Sequence, residues 1–385
     1  MNIVIAADSF KGCMSSEQAA ESIAEGILRA NPNHSIQKFP AADGGEGTAE
    51  VFARLMKSPL VHVPTLNSAG RTIDASYAFD PKTKTAVMDA ASCIGLNRTP
   101  KESRNPMIGT SRGLGRMMQD AICRGCQKLI IGLGGTGTND GGMGLLTEFG
   151  VTFYDEDREV LPPNPYSLSR IAFIDKRKVT LPRDVEIIVA CDVKNYLLGP
   201  QGATFVFGPQ KGLYKTQLPL VEQGMAHYRD KMLQTFHVDI NSFEGGGAAG
   251  GIGSVLLAIF KAKKASGIDL MMEYSGMETA IAQADLVITG EGQTDLQTMF
   301  GKVPFGVASM ARRYNKPCLC LSGALGPGYE KLYEAGATGI FSTCDRAMSF
   351  ETAIACGPRK LTELTTSVIR LIDAISERKT YETEK

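Results

Sequence analysis

The chain has 385 residues, 43% hydrophobic and 21% charged, and its 41 Lys and Arg are balanced by 41 Asp and Glu. This length argues for two or three domains, and the apolar fraction suffices for packed cores. Zero net charge leaves no overall field to draw in nucleic acid or an anionic membrane, so any anion has to be held by a local constellation.

The opening IVIA reads as a short buried strand, followed by the loop ADSFKGCM and a helix in which Ser15 and Gln18 have the spacing of a capping box. Ala20, Ile23, Ala24, Ile27 and Leu28 form its apolar stripe. The helix is expected to stop at Asn31-Pro32, because the residue before proline is driven out of the α region. A second strand, SIQKFP, meets ADGGEG. From about Pro59 to Leu96 the pieces LVHVPTL, TIDASYAF and TAVMDAA, with turn signals at Asn67 to Gly70 and at Asp80-Pro81, predict a β-meander. A helix from Thr110, the strand KLIIGLG, a helix after Asp140, the strand EIIVACD and the helix GSVLLAIFKA continue a mixed region. Strands DLVITGE, PCLCLSG and TGIFSTC then alternate with helices as βαβ units.

Two N-terminal and three C-terminal strands predict a doubly wound parallel sheet, an α/β domain made of residues 1–58 plus 272–385 and interrupted by a second mixed α/β domain at 59–271. Ligands of open α/β sheets bind beyond the carboxyl ends of the strands. Asp8, Asp43, Glu291 and Gly323 all follow such strands, so the active site is expected in a cleft between the domains. No apolar run approaches the roughly 20 residues of a membrane span, and the opening segment has too few apolar residues for a secretory signal. With nine cysteines in mostly apolar surroundings, this points to a reducing, cytoplasmic location. Cys123 and Cys126 lack the further ligands of a zinc site, and the four histidines are scattered.

The segment Gly132 to Gly144, GLGGTGTNDGGMG, holds seven glycines in thirteen residues. Backbone without Cβ atoms brings N–H groups close to an anion. GLGGTG also satisfies the dinucleotide fingerprint, but a Rossmann site wants an acidic residue at the end of the next strand, and Asp155 and Glu156 follow VTFY in a turn-like stretch. Thr138, Asn139 and Asp140 suit a nucleotide phosphate and its hydrated metal better, which favours ATP over NAD. Neither a Walker P-loop nor the protein-kinase motifs occur.

Phosphoryl transfer requires cations around the moving group, a metal bridging phosphates and a carboxylate to orient the attacking hydroxyl. Lys11, Lys211 and Lys302 lie beside glycines near strand ends. Asp43, Glu46 and Glu291 are candidate Mg²⁺ ligands, since Mg²⁺ prefers oxygen donors and keeps several waters. Asp192 in ACDVKN is the candidate for orienting the hydroxyl, with Asp295 as second choice, and Lys11 stands with them in the catalytic set. Arg112, at a helix start, with Asp8, Ser9, Lys11 and Lys211, is the candidate set for substrate. Gly134, Gly135, Thr136, Thr138, Asn139 and Asp140 are assigned to the nucleotide.

ADSFKG, ADGGEGT, TSRGLG, TNDGG, ACDVKNYLLGPQGA with VFGPQKG, GGGAAGGIG, and DLVITGEGQTDLQT with GKVPFGVA occur in this order. Together they resemble the type-1 bacterial glycerate kinases, from Asn2 to about Cys344. The resemblance implies transfer of the γ-phosphoryl group of ATP to D-glycerate with Mg²⁺, giving 2-phosphoglycerate, on a flavodoxin-like domain interrupted by a second α/β domain. It departs from the family pattern at Ala7 before the first aspartate, at GGTGTND and at Tyr196. The residues by themselves leave open phosphorylation of the 3-hydroxyl, a nicotinamide-linked oxidoreductase built on GLGGTG, and a non-catalytic binder of a small acid. They do not set the oligomeric state.

Overall fold

The computed structural model describes residues 1–39, 47–100, 102 and 104–383. It is a mixed α/β structure, and the chain divides into two compact units, residues 1–43 with 268–385 and residues 44–267.

The first unit is built on a five-stranded sheet in the order Gly339–Ser342, Cys318–Ser322, Leu286–Gly290, Asn2–Ala7, Ser35–Lys38. All four pairings are parallel. Strands IVIAA, LVITG and CLCLS are buried along their length, the continuous apolar pattern of a sheet covered on both faces. Helix Ser16–Ala30 starts at the expected capping box, in which Ser15 Oγ accepts from Gln18 N and the Gln18 side chain accepts from Ser15 N, and it ends at Asn31. Its buried stripe runs through Ala19, Ala20, Ile23, Ala24 and Ile27. Leu28, expected in that stripe, is 46% exposed, because it lies one step round the helix from the face that packs on the C-terminal helix Phe350–Thr383. A side chain at Gly26 would come within 2.6 Å of Thr365 Cβ and 2.7 Å of the Thr362 carbonyl, so glycine sets how closely these two helices approach.

The second unit carries a six-stranded sheet in the order Lys263–Ala265, Glu186–Ala190, Lys128–Gly132, Thr85–Asp89, Thr72–Asp80, Leu60–Leu66. The last three strands form the expected antiparallel meander, and Thr85–Asp89 also pairs parallel with Lys128–Gly132. Pro64 sits in the outermost strand, where a missing donor is tolerated. Tyr77, Met88, Leu114, Met117, Ile131, Tyr228 and Val255 are among the fully buried side chains of its core. Sequence alone drew the domain boundaries at 58/59 and 271/272. Helix Thr48–Leu55 packs on strands Thr72–Asp80 and Thr85–Asp89, which places it with the second unit. No helix among the described residues is long and apolar enough to cross a membrane.

Candidate active site

In the first unit, the loop after Asn2–Ala7 and the loop after Leu286–Gly290 lie side by side because their strands pair in register up to Ala7 and Gly290. Asp8 N donates to the Gly290 carbonyl at 2.8 Å. Its carboxylate, largely buried, accepts from Ser9 N at 2.6 Å. A side chain at Gly292 would stand 3.2 Å from Lys11 N, so the turn TGEG passes close against the DSFK loop. Asp8, Ser9, exposed Lys11 and buried Glu291 are thereby gathered at the carboxyl ends of two neighbouring strands.

Glu291 is already well supplied with donors. Lys302 Nζ lies 3.0 Å from its Oε2, and the hydroxyls of Thr294 and Thr298 donate to Oε1. Asp295 caps the short helix Leu296–Phe300, accepting from Gln297 N at 2.8 Å and from Gln293 Nε2 at 3.0 Å. That local capping role explains its position, and nothing in its contacts directs it at a reacting group.

In the second unit, ten residues of irregular chain separate strand Lys128–Gly132 from helix Met143–Glu148. A dinucleotide fingerprint opens its helix within the glycine motif, so the GLGGTG reading fails on geometry. Gly135 sits at φ +73°, its carbonyl accepts from Leu96 N at 3.2 Å, and Gly137 N donates to the Ile94 carbonyl at 2.8 Å. The loop is therefore stitched to the segment after Thr85–Asp89. The glycines of GGGAAGGIG serve the same loop from the other side. Gly141 N donates to the Gly250 carbonyl, and a Cβ at Gly250, itself at φ +66°, would stand 2.0 Å from the Thr138 carbonyl. Part of the glycine density thus permits backbone to pack on backbone.

Asp140, expected to reach a metal's hydration shell, is wholly buried and accepts from Ser111 N, Ser111 Oγ, Gly142 N and Gly144 N. Burial raises its carboxyl above the usual range against the pull of these bonds. Its oxygens hold together two loops and the start of a helix, which is a structural task. Thr138 and Asn139 are also wholly buried. Asn139 Nδ2 donates to Thr204 Oγ1 at 3.3 Å, whereas Asn139 Oδ1 and Thr138 Oγ1 have no hydrogen-bond partner among the described residues. Such orphaned groups call for an explanation in a native fold.

Lys211, at the end of the turn Pro209–Lys211, is 4% exposed and donates from Nζ to the Thr138 carbonyl at 2.6 Å. Burial lowers its pKa to about 7, with Asp140 drawing it the other way. The structure brings Lys211 onto the Gly134 to Asp140 loop, and it places Asp192 in the half-buried exit of strand Glu186–Ala190. Arg112 begins helix Arg112–Cys123 as expected. Its Nε, however, donates to Glu148 Oε1 at 2.5 Å, with Arg116 Nε 3.5 Å from Oε2, so its fork is directed at a neighbouring helix.

Asp43 and Glu46, two of the three candidate metal ligands, lie outside the described residues. Among the described residues, no cluster of three or more His, Cys, Asp or Glu could hold a metal. Glu291, the candidate that lies within the described residues, is engaged by a lysine and two hydroxyls.

The glycerate kinase family model matches residues 3–373. The chain belongs to the glycerate kinase family. It is 38% identical over 357 residues to a glycerate kinase of Halalkalibacterium halodurans (92% of this chain, 94% of that one). It is 36% identical over 344 residues to a glycerate 2-kinase of Escherichia coli (89% and 90%). A crystal structure described as a candidate glycerate kinase 2 from Salmonella typhimurium LT2 superposes with a TM-score of 0.83 at 34% identity, covering 98% of this chain and 99% of that one. The mixed α/β architecture with parallel sheets is thus that of a glycerate kinase structure.

Sequence reasoning assigned no role to Thr294 and Thr298, although both stand in the QTDLQT motif, or to Thr204, whose hydroxyl meets Asn139. A hydroxyl three or seven residues from a carboxylate carries no signal of its own, because only the turn decides whether the two meet.

Proposed function

We propose that the chain transfers the γ-phosphoryl group of ATP to the 2-hydroxyl of D-glycerate, releasing ADP and 2-phosphoglycerate. The family match over residues 3–373 carries this reading, and the name of the Escherichia coli relative supports the 2-position.

In this reading the Gly134 to Asp140 loop receives the nucleotide phosphates, with Lys211 as the cation behind it. Lys11 and Ser9, at the end of the first strand, supply further positive charge and a hydroxyl to the anionic reactants. Asp192 orients the acceptor hydroxyl and takes its proton as the new O–P bond forms and the bond to the ADP oxygen breaks. Such transfer is achieved mainly by positioning and charge stabilisation. Mg²⁺ would neutralise the phosphates, carried by ATP itself with at most one or two carboxylates of the chain; Asp43, Glu46 and Glu291 are the assigned candidates. We assign Arg112 to holding Glu148.

We also infer a flavodoxin-like, doubly wound arrangement for the first unit. Numbered within its five-stranded sheet, the strand order is 2-1-3-4-5, the order in which ligands bind at the switch point between the first and third strands, where Asp8 and Glu291 emerge. A cytoplasmic small-molecule kinase without nucleic-acid or membrane partners completes the reading. Phosphorus NMR of the product formed from ATP, Mg²⁺ and D-glycerate tests it. A 2-phosphoglycerate resonance is expected, while 3-phosphoglycerate or no transfer would overturn the assignment.

A further inference from the structure

Within the second unit, a pocket of about 10 Å³ is lined by Ser68, Thr99, Arg104, Gly137 and Lys211 among others, with no acidic side chain among its described lining residues. Its volume is about one water-sized sphere, too small for a nucleoside or a sugar ring. It suits the end of one small polar group.

The lining is cationic and rich in donors. Lys211 Nζ has three N–H donors, of which one reaches the Thr138 carbonyl, and no carboxylate among the described residues forms an ion pair with it. Arg104 donates from Nε to the Thr99 carbonyl at 2.9 Å, and its terminal nitrogens have no protein acceptor among the described residues. Ser68 Oγ and Thr99 Oγ1 are 2.8 Å apart, so one of the two hydroxyl hydrogens can serve a ligand. The charge of Asp140 offsets part of the cost of burying this ammonium, but without a direct ion pair the burial remains costly. Burial already drives Lys211 towards its neutral form, and an arriving anion would reverse that.

We propose that Lys211, Arg104, Ser68 and Thr99 form a seat for a single oxyanion group, either the carboxylate of glycerate or a phosphoryl group of the nucleotide. The choice of these two ligands rests on the kinase reading; the seat itself does not. Gly137 completes it. A Cβ there would lie 3.4 Å from Leu96 Cδ2 and 3.5 Å from Ser68 Oγ, contacts the fold can accommodate, yet the methyl would enter the pocket.

The test is calorimetric titration of the full chain with D-glycerate, ATP and inorganic phosphate separately, so that no turnover is needed. Wild type is compared with Gly137→Ala and Arg104→Met, with circular dichroism as the folding control. We expect both variants to bind at least one of these anions about ten-fold or more weakly, the scale of losing charge-assisted hydrogen bonds. Weakened D-glycerate with unchanged ATP identifies the carboxylate as the occupant, and the converse identifies a phosphoryl group. If Arg104→Met unfolds because the Thr99 bond is lost, Gly137→Ala alone decides. Should Gly137→Ala unfold as well, the refuted premise that the pocket accepts a methyl overturns the proposal. Affinities within two-fold of wild type for all three anions, or no binding of any of them by wild type, overturn it too. Phosphate binding that is sensitive to Gly137 in a protein unable to phosphorylate glycerate would leave the seat standing and remove the kinase reading.

Discussion

Lys211 Nζ reaches the Thr138 carbonyl at 2.6 Å from a wholly different part of the chain, and it does so as a buried cation whose pKa is lowered to about 7. The sign of the resulting pH dependence follows from proton counting. Between about pH 7 and the ordinary lysine value the unfolded chain holds a proton that the folded chain has released, so stability rises with pH in that window. Below pH 7 both states are protonated and the burial penalty is constant. Lys211→Met should remove this rise, which denaturant midpoints at pH 6, 8 and 10 can read. Parallel curves for variant and wild type would show that Lys211 does not titrate there. For activity the sign is opposite: kcat/KM reports the free enzyme, and it should fall as pH rises through about 7 if the charged lysine attracts the anion.

Gly250 faces the Thr138 carbonyl so closely that any Cβ must displace the Thr138–Asn139 segment. Gly276 has a similar positive φ of +70° with open space around it. Gly276→Ala therefore measures backbone strain alone, about 1–2 kcal/mol. Gly250→Ala should add overpacking of about 1–3 kcal/mol and should raise the KM for ATP. Equal unfolding free energies for the two variants would mean that the two glycine-rich segments do not depend on close backbone contact.

Asp192→Asn keeps the shape of the side chain but removes a proton acceptor. We expect kcat to fall by ~10²- to 10⁴-fold with the KM for ATP within about two-fold, the pattern of an interaction made in the transition state. Steady-state kinetics at saturating ATP gives the answer, and wild-type turnover would reassign the role.

Arg112 pairs with Glu148 at 2.5 Å on a partly exposed surface, where such pairs contribute roughly 0.2–1 kcal/mol. Arg112→Lys should accordingly leave the KM for glycerate within about two-fold, an expectation grounded in its engagement with Glu148 rather than substrate. A ten-fold rise in KM, relieved by Glu148→Gln, would instead return Arg112 to the substrate carboxylate.

Local regularities were legible in the sequence. The apolar runs at residues 2–7, 286–290 and 318–322 marked buried parallel strands, the Ser15 to Gln18 spacing marked a helix start, and alternation marked the meander. Each is a property of neighbouring residues, set by side-chain period and capping. The seven motifs in order also sufficed for the family resemblance. What side chains do at the site depended on partners far away in the chain. Asp140 was read as a ligand for a metal's waters, but Ser111 and the start of helix Met143–Glu148 occupy its oxygens. Arg112 was assigned to the substrate carboxylate, but its Nε donates to Glu148. Arg104 and Ser68 carried no motif at all, and they meet Lys211 only because the turn after Leu60–Leu66, the segment around Thr99 and the Pro209–Lys211 turn converge on one pocket. A carboxylate or cation is functional or structural according to which donors and charges surround it, and those neighbours are supplied by tertiary folding rather than by sequence spacing.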